Sequence, residues 1–211
     1  MKYSDGRPVE IAFLIEISSK FPQMFLNEKG RTSVKNDGLM PSALSGPVLD
    51  FLMPKITLLG NGGAIWILAA LIPLCTKKYR RQGILLLVGL IAGVLVGNAC
   101  LKNLIARPRP CWLDSSVQLL IANPADYSFP SGHTLSSVIG ATGLTKTNRR
   151  FGYAAIPLAA LIAFSRLYLY VHFPSDVLAA AVLGVALGEL VWRCGGKLLE
   201  RWHAPRGRQR A

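Results

Sequence analysis

Two long stretches without any charged side chain constrain this sequence most. They cover residues 56–76 and 82–101, and each has about the 20 residues that a helix needs to cross the hydrocarbon core of a bilayer. Three shorter apolar stretches follow at residues 134–145, 151–164 and 177–190. Five such stretches in 211 residues leave too few polar residues for a soluble shell. The sequence therefore predicts an all-α, polytopic bundle of transmembrane helices with five spans.

The N-terminal region gives a weaker signal. Ile11, Leu14 and Ile15 fit one face of a short interfacial helix. Residues 41–55 are apolar but interrupted by prolines and charges, so the pattern indicates a sixth crossing near the N-terminus without placing it. The chain then divides into three predicted regions: an arm at residues 1–55, a membrane-embedded domain at residues 56–200, and a basic tail at residues 201–211.

The distribution of charge predicts the orientation in the membrane. The chain has 24 basic and 11 acidic residues, a net charge of +13. Basic residues cluster after the first and third predicted spans and in the C-terminal tail. Because such ends are cytoplasmic by the positive-inside rule, we expect a multi-pass protein of a bacterial-type plasma membrane with a cytoplasmic C-terminus. The tail is then a topology signal and a contact for anionic lipid, and no nucleic-acid partner is expected.

Three polar clusters lie at the opposite, extracytoplasmic ends of the predicted spans. A packed bundle would bring these ends together at one face of the membrane. The clusters are Lys102 with Arg109 and Pro110, then Pro130-Ser131-Gly132-His133, and then Ser165 and Arg166 with His172 and Asp176.

The cations of these clusters predict an anion site. Few acids lie on this side to neutralise Lys102, Arg109 and Arg166, and guanidinium and ammonium groups suit a tetrahedral phosphate. For Arg107 we expect only the ordinary role of a basic side chain at a helix end, which reaches toward the membrane interface.

The two other clusters supply candidate catalytic groups. Ser131 fits the N-cap of a helix, which is either an ordinary helix start or a phosphate site with free backbone N–H groups. His133 would then lie beside the anion and could donate a proton to a leaving oxygen. Asp176 follows His172 by about one helical turn. The carboxylate can therefore accept a hydrogen bond from one ring nitrogen and leave the other as a nucleophilic lone pair.

Together these motifs resemble the three-part signature of the type 2 phosphatidic acid phosphatase (PAP2) superfamily, which also contains the vanadium haloperoxidases. Eleven defining residues match in order between positions 102 and 176. The resemblance implies a six-span helical bundle and metal-independent hydrolysis through a phosphohistidine, with no cofactor. It also implies the roles of the site residues: His172 as nucleophile, Asp176 orienting it, His133 as acid, and Lys102, Arg109, Arg166, Ser131 and Gly132 holding the phosphate.

The location of the site at the end of a membrane bundle predicts a lipid phosphate or diphosphate as substrate. Undecaprenyl diphosphate is the preferred interpretation, and phosphatidylglycerophosphate and phosphatidate are alternatives. A haloperoxidase is disfavoured because those relatives are soluble. A non-catalytic lipid-phosphate binding or transport protein is the alternative of another class, although binding alone needs only the cations. The sequence gives neither the lipid nor the oligomeric state.

Overall fold

The computed structural model describes residues 46–115 and 117–203, and within these ranges the regular structure is entirely helical, as predicted. A 3₁₀ turn, Asn61–Gly63, joins the first two helices, and a π-helical segment, Val94–Leu101, joins the third to the fourth. The α-helices are α1 Pro47–Leu59, α2 Ala64–Cys75, α3 Arg80–Gly93, α4 Lys102–Ile105, α5 Pro110–Leu113, α6 Gly132–Thr147, α7 Arg149–Tyr168 and α8 Pro174–His203.

Three of these helical stretches are long and apolar enough to cross a membrane, namely Arg80–Leu113, Arg149–Tyr168 and Pro174–Leu198. A fourth crossing results if α1 and α2, which meet at an angle of 45°, form one broken span. The predicted count of five or six is therefore not reached in the described part of the chain. The predicted interfacial helix near residue 11 lies outside it.

The first helix differs from the sequence prediction. One span was expected over residues 56–76, but α1 already begins at Pro47 and ends at Leu59. Proline at the start of a helix costs no hydrogen bond, because the first N–H groups have no intrahelical acceptor. The helix breaks where Gly62 and Gly63 adopt positive φ angles of 58° and 71°, a conformation that glycine tolerates best. The predicted domain boundary at residue 55 thus falls inside α1.

Helix α6 is the centre of the bundle and packs against α7, α8 and α3. Its residues Leu135 and Ile139 are buried with Trp66 of α2 and Ile162 of α7. The indole Nε1 of Trp66 donates to Ser137 Oγ at 2.9 Å, which satisfies the one polar group of that ring. This apolar core fixes the N-terminal end of α6 beside the C-terminal end of α7 and the start of α8, where the polar clusters lie.

Candidate active site

The predicted site residues meet at one end of the bundle. A cavity of about 690 Å³ opens there, and its polar lining includes Lys102, Arg109, Gly132, His133, Arg166 and His172. Ser131 and Asp176 are buried behind this lining. The structure therefore brings the three sequence clusters together, with the histidines and cations on the cavity surface.

The imidazole of His172 is oriented by Arg109. The guanidinium Nη1 lies 3.1 Å from Nε2 of His172, and a guanidinium can only donate. Nε2 must therefore be the unprotonated nitrogen, and the proton of the neutral ring is on Nδ1. The result is a lone pair that faces the cations of the cavity, as the sequence predicts for a nucleophile.

The opposite side of the His172 ring faces Asp176 and Ser128. Nδ1 is 3.6 Å from Asp176 Oδ2, which is too long for a direct hydrogen bond. Ser128 Oγ lies 3.4 Å from Nδ1 and donates to Asp176 Oδ2 at 2.5 Å. The backbone N–H of Phe173 donates to the same oxygen at 2.9 Å. The carboxylate thus acts on the ring in company with a serine hydroxyl, which the sequence prediction missed.

The expectation for Arg107 is wrong. Its side chain is buried rather than extended to the interface, and Nη1 donates to Asp176 Oδ1 at 2.5 Å and to Ser175 Oγ at 2.9 Å. The guanidinium also stacks 3.9 Å from the ring centroid of Phe173. A buried carboxylate needs such a partner because desolvation penalises an isolated charge. That requirement was the available signal, but the two groups are 69 positions apart in the sequence, which concealed which cation would meet it.

The cation cluster already holds one carboxylate. Asp126 accepts from Lys102 Nζ and, at 2.7 Å, from Arg109 Nη2. Although burial raises its pKa, the hydrogen bond from Lys102 and the charge of Arg109 outweigh that effect and hold the pKa of Asp126 at about 2. The expectation of an unneutralised cluster is therefore corrected, since Lys102 and Arg109 share the half-exposed carboxylate of Asp126.

Arg166 keeps unused donor capacity. Its Nη1 donates to Thr57 Oγ1 of α1 at 2.6 Å. Its Nε is buried and has no hydrogen-bond partner within residues 46–115 and 117–203. Because buried donors are nearly always satisfied, this guanidinium is suited to an additional acceptor such as a phosphate oxygen.

The start of α6 has the predicted capping geometry. Ser131 is the N-cap, and its Oγ accepts from the backbone N–H of Thr134 at 3.4 Å. His133 lies in the first turn, and its Nε2 is 2.9 Å from Asn61 Oδ1. This second histidine therefore reaches the cavity from a fixed helix end, opposite a residue of the break between α1 and α2.

Burial dominates the titration of His172. Desolvation lowers the pKa of this imidazole, the contact with Asp176 opposes that effect, and the nearby Arg109 and Arg166 lower it further, to about 4. The ring is therefore neutral near pH 7. A neutral imidazole with its lone pair toward a cationic pocket can attack an electrophilic phosphorus.

The fold and the site define a class of protein: a helical membrane protein with a cavity at the end of its bundle that is lined by two histidines and three cations. The family model of the PAP2 superfamily matches residues 82–200, and the chain belongs to that superfamily, which confirms the resemblance.

Two relatives carry names that describe diphosphatases. The chain is 35% identical over 121 residues to an undecaprenyl-diphosphatase of Sulfolobus acidocaldarius, covering 57% of this chain and 58% of that protein. It is 30% identical over 146 residues to the undecaprenyl-diphosphatase BcrC of Bacillus subtilis, covering 69% and 75%.

A solved structure shows the same fold. The transmembrane PAP2-type phosphatidylglycerolphosphate phosphatase of Bacillus subtilis superposes with a TM-score of 0.61. The match covers 93% of this chain and 98% of that one at 23% identity. At this identity the likeness establishes the helical membrane fold, and the substrate has to be argued from the site.

Proposed function

We propose that this protein is an integral membrane lipid phosphatase that hydrolyses undecaprenyl diphosphate through a phosphohistidine on His172. The observation that carries the proposal is the 3.1 Å contact between Arg109 Nη1 and His172 Nε2. In that contact Nε2 accepts a hydrogen bond from the guanidinium, so the lone pair of the ring lies beside the group proposed to bind the phosphate. When a phosphate oxygen takes over the N–H of Arg109, the lone pair of His172 is released next to the phosphorus.

The first chemical step forms a bond between Nε2 of His172 and phosphorus. The bond from phosphorus to the lipid-side oxygen breaks, and that oxygen takes a proton from His133. Lys102, Arg109 and Arg166 stabilise the charge on the equatorial oxygens, which is where most catalysis of phosphoryl transfer arises. Asp176 and Ser128 keep the proton of His172 on Nδ1 during the attack.

The second step returns the enzyme to its starting state. A water oxygen attacks the phosphorus of phosphohistidine and gives its proton to His133. The bond between nitrogen and phosphorus breaks, inorganic phosphate leaves, and His172 is again a neutral imidazole. Over the two steps one water is consumed and both histidines regain their original protonation.

The apolar wall of the cavity supports a lipid substrate. Below the cations the cavity is lined by Ile67 of α2 and by Leu87, Ile91 and Leu95 of α3 and the π-helical segment. An isoprenoid tail can lie along this wall while its head group reaches the cations. The names of the two relatives favour undecaprenyl diphosphate within this class, and the charge distribution supports a site on the extracytoplasmic face.

Phosphatidylglycerophosphate is the second candidate substrate. It is supported by the name of a further relative, the phosphatidylglycerophosphatase B of Bacillus subtilis, which is 31% identical to this chain over 157 residues. Both lipids present a terminal phosphate on an apolar tail, so the same residues would act on either one.

The test is phosphate release by the purified protein in detergent with excess EDTA. Undecaprenyl diphosphate, phosphatidylglycerophosphate and phosphatidate are compared in parallel, with His172→Ala beside the parent. We expect the fastest release from undecaprenyl diphosphate and no release from the variant. Release from none of the three lipids, with binding retained, would indicate a binding or transport protein instead.

A further inference from the structure

The break between α1 and α2 contacts the active site from outside the family match, which begins only at residue 82. Three of its contacts reach catalytic side chains. Thr57 Oγ1 accepts from Arg166, and Asn61 Oδ1 lies 2.9 Å from Nε2 of His133. Gly60 lies so close to the same ring that a Cβ there would be 2.7 Å from Cδ2 of His133. The segment is thus shaped around the His133 imidazole.

The backbone of the break has a defined conformation. The N–H of Gly60 donates to Thr57 O, and the N–H of Gly63 donates to Gly60 O, both at 3.0 Å. The positive φ angles of Gly62 and Gly63 then redirect the chain by 45° into α2. As a result Asn61 is held between two helices that pack on the core, and its side chain is presented to His133.

From this geometry we propose that Asn61 is a positioning residue that holds the His133 ring in both of its protonation states. This inference rests on the proposed function, in which His133 first donates a proton and later accepts one. An amide oxygen suits that role because it accepts a hydrogen bond from Nε2–H without taking the proton. Oδ1 accepts from Nε2–H throughout, so the proton that His133 gives to the leaving oxygen and later takes from water is the one on Nδ1.

The first test separates acid catalysis from overall damage by varying the leaving group. An alkyl phosphate such as short-chain phosphatidate needs a proton on its departing oxygen, whereas p-nitrophenolate departs readily without one. Because kcat/KM reports only the steps up to departure of the leaving group, it isolates the donor role of His133. General acid catalysis contributes about 10²–10⁴-fold, and we expect Asn61→Leu to lose about 10–100-fold of kcat/KM on phosphatidate.

On p-nitrophenyl phosphate the same variant should retain most of its kcat/KM. Asn61→Asp keeps an acceptor oxygen and should remain closer to the parent on phosphatidate than Asn61→Leu does. Asn103→Leu is the matched control, because the Asn103 amide is exposed and donates to Ala99 O of its own helical stretch. Two results would overturn the proposal. One is that Asn61→Leu lowers kcat/KM by the same factor on both substrates. The other is that Asn61→Leu still causes its full loss of kcat/KM when His133 has already been replaced by alanine.

A second readout does not depend on turnover. Nitrogen NMR of labelled histidines distinguishes a protonated Nε2 from a bare one, and His133→Ala assigns the signal among the three histidines of the chain. The parent should show Nε2–H at His133, and Asn61→Leu should shift the tautomer population. An unchanged spectrum refutes the positioning role even in an active enzyme. A parent that releases no phosphate but shows the expected spectrum refutes the phosphatase proposal alone.

Discussion

The buried pair of Arg107 and Asp176 supports a quantitative prediction. Both side chains are withdrawn from solvent, at 7% and 0% exposure, and their closest atoms are 2.5 Å apart. Replacing Arg107 by methionine keeps an apolar stem of similar length and leaves the carboxylate with only neutral donors. Breaking a buried pair from one side costs about 3–5 kcal/mol. We therefore expect Arg107→Met to lower the free energy of unfolding by about that amount.

The assay is unfolding in mixed micelles of detergent and SDS, followed by tryptophan fluorescence. Arg193→Met is the control, because Arg193 forms an exposed pair with Glu189, and exposed pairs contribute little to stability. Adding Asp176→Asn to Arg107→Met should cost less than the sum of the two single changes, since no stranded charge remains. Equal losses for Arg107→Met and Arg193→Met would refute the assignment of Arg107 as the partner of the Asp176 carboxylate.

Three further predictions follow from the site and the core. Asp126→Asn should strengthen inhibition by inorganic phosphate or vanadate about fivefold. The reason is that the anion no longer has to displace a half-exposed carboxylate, whose pairing with the cations is worth about 1 kcal/mol. An unchanged inhibition constant would contradict this. The low pKa of His172, about 4 against an ordinary 6.5, means that the unfolded chain binds a proton that the folded protein excludes. Stability is therefore full above pH 6.5 and declines as the pH falls toward 4, and His172→Gln should lose less than the parent between pH 7 and pH 5. Gly140→Ala places a Cβ 2.4 Å from Cε3 of Trp66, so it should cost about 1–3 kcal/mol of unfolding free energy, and a neutral effect would show that the indole can move.

Local relations in this molecule were predictable from sequence. The spacing of His172 and Asp176 within one turn and the capping role of Ser131 depend on nearest neighbours along the chain. The motif spacing also predicted which side chains would share one cavity. The capping by Ser131 follows from helix geometry, whereas His172 lies two residues before α8 and faces Asp176 in the first turn of that helix.

Relations between distant residues were not predictable. Arg107 with Asp176, Asp126 with Lys102, and Asn61 with His133 are separated by 69, 24 and 72 residues. Which cation meets which carboxylate depends on how the helix ends pack, and no periodicity encodes that. The predicted count of five or six spans is not confirmed among the described residues, because α6 has only 16 residues and because α1 and α2 form one broken pair rather than a continuous helix.

The central claim is the covalent role of His172, and trapping the intermediate tests it most directly. The parent is mixed briefly with a lipid phosphate labelled with ³²P at the terminal phosphorus and quenched in alkali, where phosphohistidine survives. The account predicts label on the peptide that contains His172, label lost on acid treatment, and none in His172→Ala. Rapid phosphate release without a labelled peptide, or label that persists in the variant, would contradict it.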